Sequence, residues 1–283
     1  MRKGLLSLVA VLIVGLIISP CAWGKAKTIK VGINAPITGD IPKVGEGTKF
    51  AAQMWLADIN AAGGLEVGGK KYPVELVIED NESKAESAVK VQTKMITEDE
   101  VLVIVGPQSS KQAIPAGEVA NNYGTPMISP WSTNPNTTLD RPWVFRAAFL
   151  DPFQGPVFAN FAGKKFGAKT APVLYDVNND YSVGLAEVFK SAWEAKGLGP
   201  VVAYESNGTK DQDFSAQLTT IIAAKPDFIF VPENYNQVAL IIHMQCVRPF
   251  ELHRNNGWIR PGRYNEIVFE LALVPMKHQV NAQ

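Results

Sequence analysis

Between residues 22 and 242 this 283-residue chain contains neither histidine nor cysteine. That absence removes Cys/His dyads, Ser-His-Asp triads and histidine- or cysteine-ligated zinc from the body of the chain. Carboxylate chemistry and a magnesium site survive, but no H-E-x-x-H pattern argues for a metal enzyme. Cysteine is scarce overall, with only Cys21 and Cys246. If the first 24 residues are removed, Cys246 remains alone and no intramolecular disulfide can form. A surplus of one charge is also lacking. Without Arg2 and Lys3 the 27 basic residues become 25 against 27 acidic ones, a net of −2. Such a balance carries no basic stripe, so nucleic acid is excluded as the expected partner.

Long apolar runs are missing too, except at the start. Arg2 and Lys3 precede an almost wholly apolar Leu5–Ile18, and Ala22-Trp23-Gly24 follows as a small-x-small cleavage site. Residues 1–24 therefore read as a secretory signal. The alternatives are a membrane anchor and lipidation at Cys21. The run is short for a span of about 20 residues and stops at Pro20. Ile18-Ser19-Pro20-Cys21 imitates a lipobox, but a small residue normally precedes the modified cysteine. The expected location is the periplasm.

What is present is an alternation of strand and helix signals. Thr28–Ala35 reads as a strand, and Glu46–Ala62 as a helix with Ala51, Met54, Trp55 and Ile59 on one face and Gly63-Gly64 as its stop. Val74–Glu79 is a strand, followed by a capping box at Ser83-Lys-Ala-Glu86 and a helix with Ala85, Ala88, Val89, Gln92, Met95 and Ile96 in register. Val101–Val105 and Pro126–Ile128 are short β-branched runs, the signature of strands buried on both faces of a parallel sheet. A helix spans about Lys111–Asn122, and Trp143–Ala148 comes next. Leu150–Pro156, with two prolines and a glycine, reads as a crossing between lobes. A second alternation follows: strand Ala171–Tyr175, helix Ser182–Lys196, strand Val201–Tyr204, helix Phe214–Ala224, strand Phe228–Val231 and a helix from about Tyr235. The fold class is α/β, with a doubly wound, mostly parallel sheet in each lobe. One continuous sheet is the alternative. Signal aside, lobe one is expected at 25–149 and lobe two at 150–242.

Two of these strands run into hydroxyl-rich loops, Gly106-Pro-Gln-Ser-Ser110 and Ser129-Pro-Trp-Ser-Thr133. Ligands of open parallel sheets sit beyond the carboxyl ends of the strands, so both loops belong on one rim. Hydroxyls and free amides suit a small polar solute and are poorly equipped to transform it. Gly45-Glu-Gly47-Thr-Lys-Phe50 lacks the third glycine of a dinucleotide fingerprint and lies well past its strand, so a nucleotide-dependent enzyme is disfavoured. No enzymatic activity and no cofactor are expected.

These pieces, in this order, resemble the leucine/isoleucine/valine-binding proteins, the type I periplasmic solute-binding subunits of ABC importers. In the first half the resemblance rests on Lys30–Gly39, Ala57–Gly64, Glu79-Asp80, Gly106–Ser110, Pro115-Ala116 and Ser129–Pro135. In the second it rests on Asp151–Pro156, Asn179–Gly184, Asp213–Ser215 and Glu233–Tyr235. It implies a monomer that captures an amino acid or similar small amide by hinge closure and delivers it to a membrane permease. A sensory module of the same fold is the alternative. The resemblance further implies that Ser110 meets the ligand carboxylate, in agreement with the partial positive end of the helix it opens. Capping by Ser109 or Ser110 is the structural alternative. The backbone of Trp131, with Ser132 and Thr133, would complete the carboxylate site and hold the ammonium. Tyr181 and Tyr235 would close down from lobe two, although packing roles would explain the aromatic residues equally. Trp131 stands where branched-chain binders carry a small residue, and Val44 where many relatives place an aromatic, so a reshaped side-chain pocket is expected. The acidic residue that would neutralise the ammonium falls on a later loop that this chain does not reach.

After Ile242 the composition changes. The last 41 residues hold all three histidines and four of the seven arginines, but one lysine against 19 before them. The segment 243–283 is expected to be aberrant or divergent, from a frameshift or similar event. The irregular His and Cys spacing gives no metal motif.

Overall fold

The computed structural model describes residues 27–247. The expected signal, Cys21 and nearly all of the divergent tail lie outside the described residues. Five parallel strands form the larger sheet: β1 (Ile29–Ala35), β4 (Val74–Asp80), β5 (Val103–Val105), β6 (Met127–Ser129) and β7 (Val144–Arg146), in the order β4-β1-β5-β6-β7. Between β1 and β4 sits an antiparallel hairpin, β2 (Leu65–Val67) and β3 (Lys70–Tyr72). Its turn is Gly68-Gly69, both with positive φ. This hairpin was not among the expected elements, although paired glycines between short strands are its signal.

Helices α1 (Pro42–Ala61), α2 (Ala85–Thr97) and α3 (Ser110–Tyr123) provide the crossovers. The expected α/β class with parallel sheets is what the fold shows. Strand order reverses beside β1, so the crevice between the loops after β1 and β5 is the place where such sheets receive ligands. Helix α2 buries Ala88, Gln92 and Met95, the expected register. Helix α1 does not follow expectation. It begins at Pro42, where proline suits the first turn. It packs Ala52, Leu56 and Ile59 against Val31, Ile33 and Val74, leaving Met54 70% exposed. Ala51-Ala52 and Trp55-Leu56 offer two adjacent apolar stripes, and periodicity alone does not choose between them. Ser83 is not a cap either. Its φ is +58°, and its Oγ donates to the Thr38 carbonyl at 2.8 Å and accepts from the Ile41 amide at 3.3 Å, tying down the loop after β1.

The segment Leu150–Pro156 is mostly helix. Helix α4 (Asp151–Phe166) starts there, with Pro152 and Pro156 in its first two turns. Pro152 falls in the first turn, where the missing amide is not used, whereas Pro156 lies inside the helix and leaves the Pro152 carbonyl without its usual i+4 amide. Helix α4 packs on α5 (Asp180–Ala195), and Ala159 and Ala162 join a core built on Val173, Leu185, Phe189, Trp193 and Phe230. The Phe189 and Phe230 rings stack at 3.9 Å between centroids. Strands β8 (Val173–Asp176) and β9 (Tyr204–Asn207) pair in parallel. The expected strand at Val201–Tyr204 therefore begins three residues late, because β8 sets the ladder. The expected strand at Phe228–Val231 is reduced to one parallel bridge, Val173 to Phe230. Helices α6 (Ser215–Ala223) and α7 (Tyr235–Val247) complete this half. Helix α7 runs through the compositional change at residue 242.

Candidate functional site

The loops after β1, β5 and β6 all emerge on one rim, because their strands are parallel. Below them lies a buried amide network. Asn34 Nδ2 donates to Gln92 Oε1 at 3.0 Å and to the Ala88 carbonyl at 3.1 Å, while Asn34 Oδ1 accepts from Asn81 Nδ2 at 3.0 Å. These bonds hold the end of β1 to α2.

The second and third loops are joined through hydroxyls. Ser110 Oγ lies 2.9 Å from Ser132 Oγ, which lies 2.6 Å from Thr137 Oγ1. The Asn134 amide donates to Ser110 Oγ at 3.4 Å, and Ser129 Oγ donates to the Pro107 carbonyl at 2.6 Å. Ser110, Ser132 and Thr133 are all buried here. Ser109 occupies the N-cap position of α3, but its side chain makes no capping bond. The Ser110 hydroxyl is thus turned toward the neighbouring loop rather than toward its own helix. Trp131 lies in the same loop with its side chain partly exposed.

Arg146, at the end of β7, fastens that loop from below. Nη1 donates to the carbonyls of Ser132 (3.1 Å) and Asn134 (2.8 Å), and Nη2 to the Pro135 carbonyl (3.1 Å) and Thr138 Oγ1 (2.7 Å). Burial lowers its pKa, and nearby Asp151 opposes that shift.

From the other half, Tyr181 opens α5 and Tyr235 opens α7. Tyr235 Oη accepts from the Lys43 amide at 3.3 Å, so it bears on the first turn of α1. Tyr181 packs on the second core; burial first, then the carboxylates of Asp151 and Glu233, hold its phenol well above the usual tyrosine range. Asn134 Nδ2 donates to the Asp180 carbonyl at 2.9 Å, and Lys210 Nζ meets Asp40 Oδ1 at 2.5 Å. The structure therefore gathers Ser110, Ser132 and Thr133 in one cluster, sets Tyr181 beside Asp151, and places Tyr235 apart against α1.

Arg146, Asn134, Asp151 and Glu233 carry no signal of a role in the sequence. Glu233 is buried, and its carboxyl is pushed up to about 8, mainly by burial, against a hydrogen bond from Asn207. Asp151 is fully buried, with a pKa of about 6. Neither residue belongs to a periodic pattern, and only folding brings them to the rim. Asp211 and Asp213 have the D-x-D spacing of some metal sites, yet they accept from the amides of Gly208 and Ser215, each at 2.8 Å. Among the described residues no group of three His, Cys, Asp or Glu side chains could hold a metal ion. Among them, too, no helix is long and apolar enough to cross a membrane.

A doubly wound parallel sheet, hydroxyl loops on its carboxyl rim and a facing α/β unit define a solute-binding protein of the type I periplasmic class. A profile of the periplasmic binding protein family matches residues 28–242, and the chain belongs to that family. It is 31% identical over 218 residues to the leucine-, isoleucine-, valine-, threonine- and alanine-binding protein of Pseudomonas aeruginosa, covering 77% of this chain and 57% of that protein. Among solved structures it is similar to a leucine-binding protein from Thermotoga maritima, with 33% identity, a TM-score of 0.69 and coverage of 76% and 59%. A branched-chain amino acid transporter substrate-binding protein from Streptococcus pneumoniae, in complex with isoleucine, gives 33% identity, a TM-score of 0.71 and coverage of 77% and 60%. The chain thus spans about three-fifths of the length of these relatives. All are named as binding proteins, and none for a reaction.

Proposed function

We propose that this chain is the periplasmic solute-capturing component of an ABC importer, binding an amino acid of the branched-chain kind or a similar small amide. Residues 25–149 and 150–242 would act as two lobes that close on the ligand and present the closed form to a membrane permease. A ligand favours closure only by its extra contacts in the closed state, and the groups facing each other across the cleft supply them. The observation that carries the reading is the joined hydroxyl cluster Ser110–Ser132 at the start of α3, with Thr133 beside it. Backbone amides at a helix start, flanked by hydroxyls, are suited to a carboxylate. The relatives named for branched-chain amino acids support the substrate class.

A thermal-shift screen of amino acids and small amides tests this directly. A true ligand at 100 to 1,000 times its dissociation constant should add about 3–4 kcal/mol of apparent stability. Ser110→Ala and Thr133→Ala should each weaken binding by roughly 10- to 100-fold, the worth of a hydrogen bond to a charged group. If neither variant alters affinity, the carboxylate site lies elsewhere.

A further inference from the structure

We infer that Asn134 is the latch between the two halves, its side-chain amide seated over Gly184 of α5 and its backbone tied to the Ser110 hydroxyl. This inference rests on the two-lobe reading above and goes beyond it by naming the contact that sets closure. Every polar group of Asn134 is in use. Its backbone amide donates to Ser110 Oγ at 3.4 Å, and its carbonyl accepts from Arg146 Nη1 at 2.8 Å. Its Oδ1 accepts from the Asn136 amide at 3.0 Å, which fixes the orientation of the side chain. These three bonds lie within the first half. They leave Nδ2 directed at the second half, where it donates to the Asp180 carbonyl at 2.9 Å.

Helix α5 is shaped to receive that amide. Asp180 and Tyr181 are its first two residues, and Gly184 stands one turn further on. A Cβ at Gly184 would lie 2.9 Å from Asn134 Nδ2 and 3.1 Å from Asp151 Oδ2, the first too close for any side chain. Neither neighbour yields freely, because both side-chain atoms of the Asn134 amide are bonded and Asp151 is fully buried at the start of α4. Gly184 does not have a positive φ, so space and not backbone conformation calls for glycine here. A helix interior otherwise penalises that residue. The bonds of Lys43 to Tyr235 and Lys210 to Asp40 also join the halves, but both are exposed, whereas Asn134 to Asp180 is partly buried. Away from water a hydrogen bond is stronger and a misfit costs more. One residue thus holds both the Ser110 hydroxyl and the helix that carries Tyr181, and the depth of the glycine notch sets how closely the two approach.

The test is a double-mutant cycle on the purified chain, read by calorimetric titration with L-isoleucine. Asn134→Ala should weaken binding roughly 3- to 10-fold, the worth of one neutral hydrogen bond. Gly184→Ala should cost roughly 10-fold or more through overpacking. The double variant should lose no more than Gly184→Ala alone, because the added methyl then has no amide to displace. In stopped-flow measurements the losses should appear in the dissociation rate, with association changed by less than about threefold, since a contact made on closure acts after encounter. Asn134→Asp keeps the bond from the Asn136 amide but sets an acceptor against the Asp180 carbonyl. It should bind more weakly than Asn134→Ala, and it leaves the second half untouched, so it carries the test if Gly184→Ala does not fold. Losses that add in the double variant, or an Asn134→Asp chain that binds as well as Asn134→Ala, overturn the latch. A wild type that does not contract in small-angle scattering at saturating isoleucine overturns the two-lobe reading itself, whatever the variants do.

Discussion

Asp151 and Glu233 are both acids whose folded pKa is raised by burial, from 3.8 to about 6 and from 4.5 to about 8. Over those windows the ligand-free folded chain keeps protons that the unfolded chain has already released. Stability is therefore greatest at the acidic end and declines as pH rises, through about 6 for Asp151 and about 8 for Glu233. The Asp151 contribution is of order 3 kcal/mol. Denaturant unfolding of the ligand-free chain at pH 5 and pH 8 should show the decline, and Asp151→Asn with Glu233→Gln should flatten it. A chain more stable at pH 8 than at pH 5 would contradict the burial of these carboxyls. At this scale the hydroxyls of the rim were legible, since a serine or threonine after an apolar strand announces itself. The buried acids were not. Asp151 reads as part of a proline-rich break and Glu233 as a loop residue, and nothing local says that either is dehydrated.

Helix α1 shows what periodicity does and does not settle. The helix itself was expected, but its buried stripe is Ala52, Leu56 and Ile59 rather than the one through Met54 and Trp55. Leu56→Ala should cost about 2–3 kcal/mol, near the low end for a partly buried leucine, and Met54→Ala should stay within about 0.5 kcal/mol. Urea unfolding of the two variants distinguishes the registers, and the reverse ranking would mean that the helix is rotated. Arg146→Ala removes the four bonds that hold the loop after β6. It should lower melting temperature and ligand affinity together, whereas Lys→Ala changes on the outer helix faces should lower neither. Helix α4 carries the same lesson as α1. Pro152 is tolerated in the first turn and Pro156 is carried inside the helix, so a break signal became a helix start.

Across the whole molecule, the larger sheet is covered unevenly. Met127 and Val144 are buried under Ala113, Ala116 and Ala120 of α3, while Ile128 and Phe145, paired in register on the other face, remain 37% and 50% exposed. Phe149 and Phe153 stack beside each other at 5.2 Å and are also exposed. Phe145→Ser should leave stability within about 0.5–1 kcal/mol and reduce self-association; a loss above about 2 kcal/mol would show that the face is covered in solution. Among the described residues, hydrogen bonds that join the two halves include Lys43 to Tyr235, Asn134 to Asp180 and Lys210 to Asp40. The last joins a largely exposed lysine to its partner, and such pairs contribute little. Lys210→Ala should weaken ligand binding by less than about fivefold, and the effect should shrink in high salt.

The sequence by itself determined the alternation of strands and helices, the absence of thiol and imidazole chemistry from the main body, and the hydroxyl loops at the strand ends. Each of these is a local property, carried by spacing, composition or turn residues that a short window contains. Tertiary structure decided which face of α1 is inside, where β9 begins, and that Asp151 lies dehydrated between Thr133 and Gly184. Register and dehydration depend on neighbours distant in the chain, and a free carboxylate differs from a buried one only in what surrounds it.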